Sequence, residues 1–122
     1  MQCLQLTRGE PPNLSVAVTI TGSGNSGSCY ATINGTKQYS AGTHEVNTGD
    51  TITFCVIGGR KNPGWVEIDG TQVLKVTNES VQTYDWTVQS GISTIEIALN
   101  YRSWSYGRIT VDTNRSHTGG SN

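Results

Sequence analysis

Residues 14–21, LSVAVTIT, place an apolar side chain at every second position. Leu14, Val16, Val18 and Ile20 fall on one side, and Ser15, Thr19 and Thr21 on the other. A period of two belongs to a strand, whose successive side chains point to opposite faces. The same alternation returns along the chain. In TITFCVI (51–57), Ile52, Phe54 and Val56 oppose Thr51, Thr53 and Cys55. In VQTYDWTV (81–88), Tyr84, Trp86 and Val88 share a side. Ile95, Ile97, Leu99 and Tyr101 follow in register, then Ile109 and Val111. Thr, Val, Ile, Gly and Asn dominate, while the helix formers Leu, Ala, Glu and Lys are sparse. Such a chain buries its apolar sides by closing one sheet against another.

The turns point the same way. Asn34-Gly35 and Asp69-Gly70 are two-residue hairpin signals, because a type I′ turn needs positive φ at both central positions. GGRKNPG (58–64) reads as a wide turn and TNES (77–80) as another reversal, while AGTHEVNTGD (41–50) reads as a loop with a short strand around His44–Val46. Ile-Asn/Asp-Gly-Thr occurs twice, at 33–36 and 68–71, as repeated hairpin chemistry with unlike flanks. Turn signals every 8–12 residues predict eight or nine short strands in one all-β antiparallel sandwich or barrel, of which the sandwich is the expected fold. The 122 residues suit a single domain. The expected boundaries are an N-terminal arm at 1–13, the sandwich at 14–113 and a flexible polar tail at 114–122, NRSHTGGSN.

Gly22, Gly24 and Gly27 have the G-x-G-x-x-G spacing of a phosphate-binding loop. That loop works only where it opens a helix, whose N-terminal N–H groups hold the anion. Here CYATI and a hairpin follow, so nucleotide binding is not expected. The glycines read as a flexible turn, and Gly24→Ala is expected to leave function nearly intact.

Charged residues are 14% of the chain and the net charge is −1, which indicates neither a nucleic-acid-binding face nor a polybasic membrane patch. Met1 is followed by no signal-peptide pattern, and no apolar run could span a bilayer. Cys3, Cys29 and Cys55 are odd in number and fit no zinc spacing, so buried free thiols are expected. No cofactor or metal is implied, since His44 and His117 belong to no metal-ligand cluster.

Candidate chemistry is thin. Glu67 and Asp69 share a strand face with Trp65, opposite Val66 and Ile68, but a glycosidase needs two carboxylates facing each other across a cleft. Asp69 is already explained by its hairpin, and no G-x-S-x-G elbow is present. The aromatics carry more weight. Tyr30, Phe54, Tyr84 and Trp86 lie within strands and are expected in the core. Trp65 stands on a polar face. Trp104 and Tyr106 lie with Arg102 and Arg108 in YRSWSYGR, at an expected hairpin tip. Trp, Tyr and Arg are the residues of interface anchors, and the rings would equally serve as a sugar-stacking platform. The third role open to Trp104 is to fold back over the end of the core. The candidate binding surface is therefore Trp65, Arg102, Trp104, Tyr106 and Arg108.

Several segments together resemble small immunoglobulin-like β-sandwich proteins encoded by bacteriophages and prophages. They are the INGT hairpin (33–36), VNTGDTITF (46–54), IDGTQVLKVT (68–77), YDWTV (84–88) and GRITV (107–111). The resemblance spans about residues 14–113. It implies an immunoglobulin-like sandwich and a non-enzymatic virion accessory protein, such as a capsid decoration, head-fibre or tail-associated module. The implied partners are capsid or tail proteins and a host-surface glycan, and self-association would cover exposed strand edges. It implies a location in the virion after synthesis in the bacterial cytoplasm. The antibody Cys…Trp…Cys framework is missing, because Trp86 follows both Cys29 and Cys55. A carbohydrate-binding module using exposed aromatics is the alternative.

Overall fold

The computed structural model describes residues 14–102 and 106–114. Ten strands lie among them: β1 (Ser15–Ser23), β2 (Cys29–Ile33), β3 (Thr36–Gln38), β4 (Ser40–Asn47), β5 (Thr51–Ile57), β6 (Gly64–Ile68), β7 (Thr71–Val76), β8 (Val81–Thr87), β9 (Thr94–Arg102) and β10 (Tyr106–Thr113). They form a six-stranded sheet, in the order β4-β1-β9-β10-β6-β7, and a four-stranded sheet, β3-β2-β5-β8. The inward sides of the two sheets make one core.

The alternation accounts for that core. Val16, Val18 and Ile20 of β1 are buried, as are Ile95, Ile97 and Leu99 of β9 and Ile109 and Val111 of β10. Cys29, Ala31, Ile33, Ile52, Phe54 and Val56 meet them from the smaller sheet. Phe54 packs against Trp86 with ring centroids 6.4 Å apart. The two hairpins form as expected: φ is 52° at Asn34 and 80° at Gly35, and 49° at Asp69 and 85° at Gly70.

Four features depart from the sequence expectation. Ten strands are present among the described residues rather than eight or nine. Leu14 stands before β1 with 46% of its surface exposed. Residues 40–47 form a full eight-residue strand, β4, held along β1 with a register break after Ile20. The larger sheet is mixed rather than antiparallel, because β9 runs parallel to β1 and β10 parallel to β6. Turn residues report where consecutive strands reverse. They say nothing about where strands meet after crossing between sheets. The resulting order also differs from the immunoglobulin division of four strands, A, B, E and D, against three, C, F and G.

The glycine loop is tight rather than flexible. A Cβ on Gly22, whose φ is +82°, would lie 2.0 Å from the Leu99 carbonyl oxygen, and one on Gly24 would lie 2.0 Å from that of Cys29. Asn25 organises the rest, its side-chain oxygen accepting from the Gly27 N–H and the Ser28 hydroxyl at 2.9 Å each. The flexible-turn reading is therefore corrected at Gly22 and Gly24: another backbone passes where a side chain would stand.

Candidate functional site

On the outer face of the larger sheet, strand register assembles a patch from residues far apart in the chain. Trp65 on β6 stands beside Arg108 on β10, and Arg108 faces Asn100 on β9. Lys75 on β7 lies on the other side of Trp65. One step towards the β9–β10 tip, Arg102 faces Tyr106. Tyr106 and Arg108 are two apart on one strand and share a face. Four of the five residues singled out in the sequence thus come together; Trp104 lies outside the described residues.

Arg108 is the centre of the patch. Its guanidinium carbon lies 5.2 Å from the Trp65 ring centroid and 4.9 Å from that of Tyr106. Its Nε donates to the Pro63 carbonyl at 3.2 Å. Each cation–π contact contributes about 0.5–1 kcal/mol at an exposed position. The more important effect is positional: a flexible side chain is held in one place with donors left over.

Charge is segregated along this face. Arg102, Arg108 and Lys75 occupy its aromatic end. One residue pair further along the strands come Glu67 and Thr110, and beyond these Glu96 and Asp112, which directly oppose each other across β9 and β10. Like charges in that position repel. Among the described residues no cluster of three or more His, Cys, Asp or Glu is placed to hold a metal ion.

Lys75, Asn100 and Thr110 join the patch without having been singled out in the sequence. Lys75 depends on a bulge. A regular hairpin continued from Ile68↔Thr71 would put Leu74 opposite Trp65, on the polar face. Instead Val66 pairs with Leu74 and Glu67 with Gln72, leaving Val73 as the extra residue. That single insertion turns Leu74 inward and sets Lys75 beside Trp65.

The other candidates have structural partners. The Asp69 carboxylate does not join Glu67: one oxygen accepts from the Thr113 N–H at 2.8 Å and the other from the Thr113 hydroxyl at 2.7 Å. Cys29 and Cys55 are buried free thiols, on opposite faces of the smaller sheet. Burial pushes the Cys29 thiol up to about 11. Burial also raises the Cys55 thiol, which is hydrogen-bonded to Tyr30. Tyr30, expected in the core, lies instead on the outer face over Cys55, with the Lys37 ammonium 4.7 Å from its ring centroid. Tyr84 and Trp86 are half-buried at the open edge of the core.

No protein-family model, no curated protein and no solved structure matches the chain.

Proposed function

We propose that this chain is a non-catalytic binding module that docks on a protein partner through the outer face of its larger sheet. The observation carrying this reading is Arg108 held between Trp65 and Tyr106, flanked by Arg102 and Lys75. Pre-positioned aromatic and guanidinium groups lose little freedom on association and supply most of the energy in typical interface hot spots. The matching partner surface is acidic opposite the aromatic end and basic opposite Glu67, Glu96 and Asp112. The sequence resemblance supplies the setting: a phage virion accessory module bound to capsid or tail protein.

The alternative, a carbohydrate-binding module, draws on the same rings. Sugar stacking needs an open ring face, and the guanidinium already covers one face of both Trp65 and Tyr106. The protein interface is therefore the better-supported reading.

Co-sedimentation with purified virions of the phage or prophage that encodes the chain tests it. Wild-type protein is expected in the particle pellet, and Trp65→Ala and Arg108→Ala in the supernatant with their melting temperatures little changed. Wild-type protein that never sediments with particles overturns the virion setting. Glycan-array binding abolished by Trp65→Ala would transfer the patch to the carbohydrate reading.

A further inference from the structure

Among the described residues the sandwich has four edge strands, and three carry features that discourage pairing with another chain. β3 is only three residues long. β4 is interrupted in register and presents Glu45. β7 carries the Val73 bulge and Lys75. The fourth, β8, has neither break nor bulge, and its one charged side chain, Asp85, accepts from the Thr53 hydroxyl of β5 at 2.8 Å. Its seven residues, VQTYDWT, pair with β5 in unbroken register and contain no proline, glycine or lysine.

The hydrogen-bond phase of β8 follows from its two ends. Gly58 N–H donates to the Ser80 carbonyl at 2.9 Å, and Val88 N–H donates to the Asp50 carbonyl at 2.8 Å. In an antiparallel ladder bonded pairs alternate. The even-numbered residues of β8 therefore bond to β5. The N–H and C=O groups of Val81, Thr83, Asp85 and Thr87 turn to the outer edge. Beside that edge Tyr84 and Trp86 are only half-buried, and Val81 keeps 45% of its surface exposed.

We propose that β8 is the interface through which two copies of this chain associate, pairing antiparallel about a two-fold axis at Tyr84. That register sets Thr83 opposite Asp85 of the second copy and Val81 opposite Thr87, so every outward N–H and C=O of both strands is paired. It opposes Asp85 with a threonine hydroxyl and places Trp86 and Tyr84 against Gln82 and Tyr84 of the second copy. A two-fold at Asp85 would set two carboxylates face to face, and one at Thr83 would leave Thr87 unpaired. The four-stranded sheets thereby join into one eight-stranded sheet with continuous faces. A two-fold axis makes the surface self-complementary and closes the assembly at two. This edge belongs to the smaller sheet, so the pairing is independent of the Trp65–Arg108–Tyr106 patch.

Sedimentation equilibrium across a wide concentration range tests the proposal. Wild-type protein is expected to be a dimer. Thr83→Asp, which sets aspartates against each other while leaving the β5 hydrogen bonds intact, raises the dissociation constant by about tenfold or more. Thr83→Lys, which faces Asp85, preserves the dimer. The register has its own test in a Cys3→Ser background. Directly opposed residues at a non-hydrogen-bonded pair lie about 4.5 Å apart at Cα, within disulfide range. Tyr84→Cys is therefore expected to form a disulfide-linked dimer on oxidation, and Thr83→Cys is not. A monomeric wild type overturns the proposal. So does a dimer indifferent to Thr83→Asp, or cross-linking that is equal at the two positions.

Discussion

Asp69 grips Thr113 with both carboxylate oxygens, one on its N–H at 2.8 Å and one on its hydroxyl at 2.7 Å. The Asp69 N–H also donates to the Val111 carbonyl at 2.8 Å. A residue legible as half of a hairpin turn therefore also fastens the turn to β10, the parallel neighbour of β6. Asp69→Ala leaves the buried Thr113 N–H without this acceptor and is expected to cost about 1–3 kcal/mol. Asp69→Asn keeps an acceptor and tolerates the positive φ, so it should cost less. Urea denaturation of the two variants checks the order; equal losses would reduce Asp69 to a turn former.

Gly24→Ala is expected to destabilise by about 1–3 kcal/mol, the usual cost of forcing atoms into packed space. The neighbour in the way is the Cys29 carbonyl, which is backbone and cannot swing aside. Gly27 has only the Asn25 side-chain oxygen nearby, at 3.6 Å, so Gly27→Ala serves as the mild control. A thermal melt in which the two variants behave alike would contradict the close approach.

Glu79→Gly is expected to stabilise. Thr77–Ser80 forms a turn with φ of 60° at Asn78 and 61° at Glu79, closed by the Ser80 N–H on the Thr77 carbonyl at 3.2 Å. Asparagine takes that conformation readily, glutamate only at a cost, and glycine is the favoured second residue. The strain released is about 1 kcal/mol. Little is lost with the side chain, whose contact with Arg60 is 3.8 Å long and solvent-exposed. A higher melting temperature is the expected reading.

Stability should fall in alkali through Cys29. Its thiol ionises near its ordinary value of 9.0 when unfolded and at about 11 in the fold, where burial disfavours the thiolate. Between those values the unfolded chain has lost a proton that the folded chain retains, so raising the pH favours unfolding. Below pH 9 the contribution is fully present. Urea midpoints measured from pH 8 to 11 should decline, with a shallower slope in Cys29→Ala. Identical slopes would show that other groups control the decline.

The two-residue period revealed most of the core, and Asn34-Gly35 and Asp69-Gly70 revealed two hairpins, because both signals are local. The parallel pairings of β9 with β1 and β10 with β6 join residues far apart and leave no local mark. The candidate site divides along the same line. Tyr106 and Arg108 are near neighbours in sequence, but Trp65 reaches them only through the β10–β6 pairing, and Lys75 only through the bulge at Val73. Tyr30 departs from the core expected of it because lying in a strand does not say which face a residue occupies. Its neighbours Cys29 and Ala31 are the ones that point inward.

The parallel seam between β1 and β9 bears on how the chain matures at the ribosome. β1 is the first strand of the described fold to be made, yet it lies inside the larger sheet, and its partner β9 is the ninth of the ten described strands. Until then Val16, Val18 and Ile20 lack that neighbour, and an unfinished chain offers them to any passing strand. Ordering of this sheet must therefore wait for nearly all of the described strands, and the late, long-range closure makes folding slow compared with that of a simple meander.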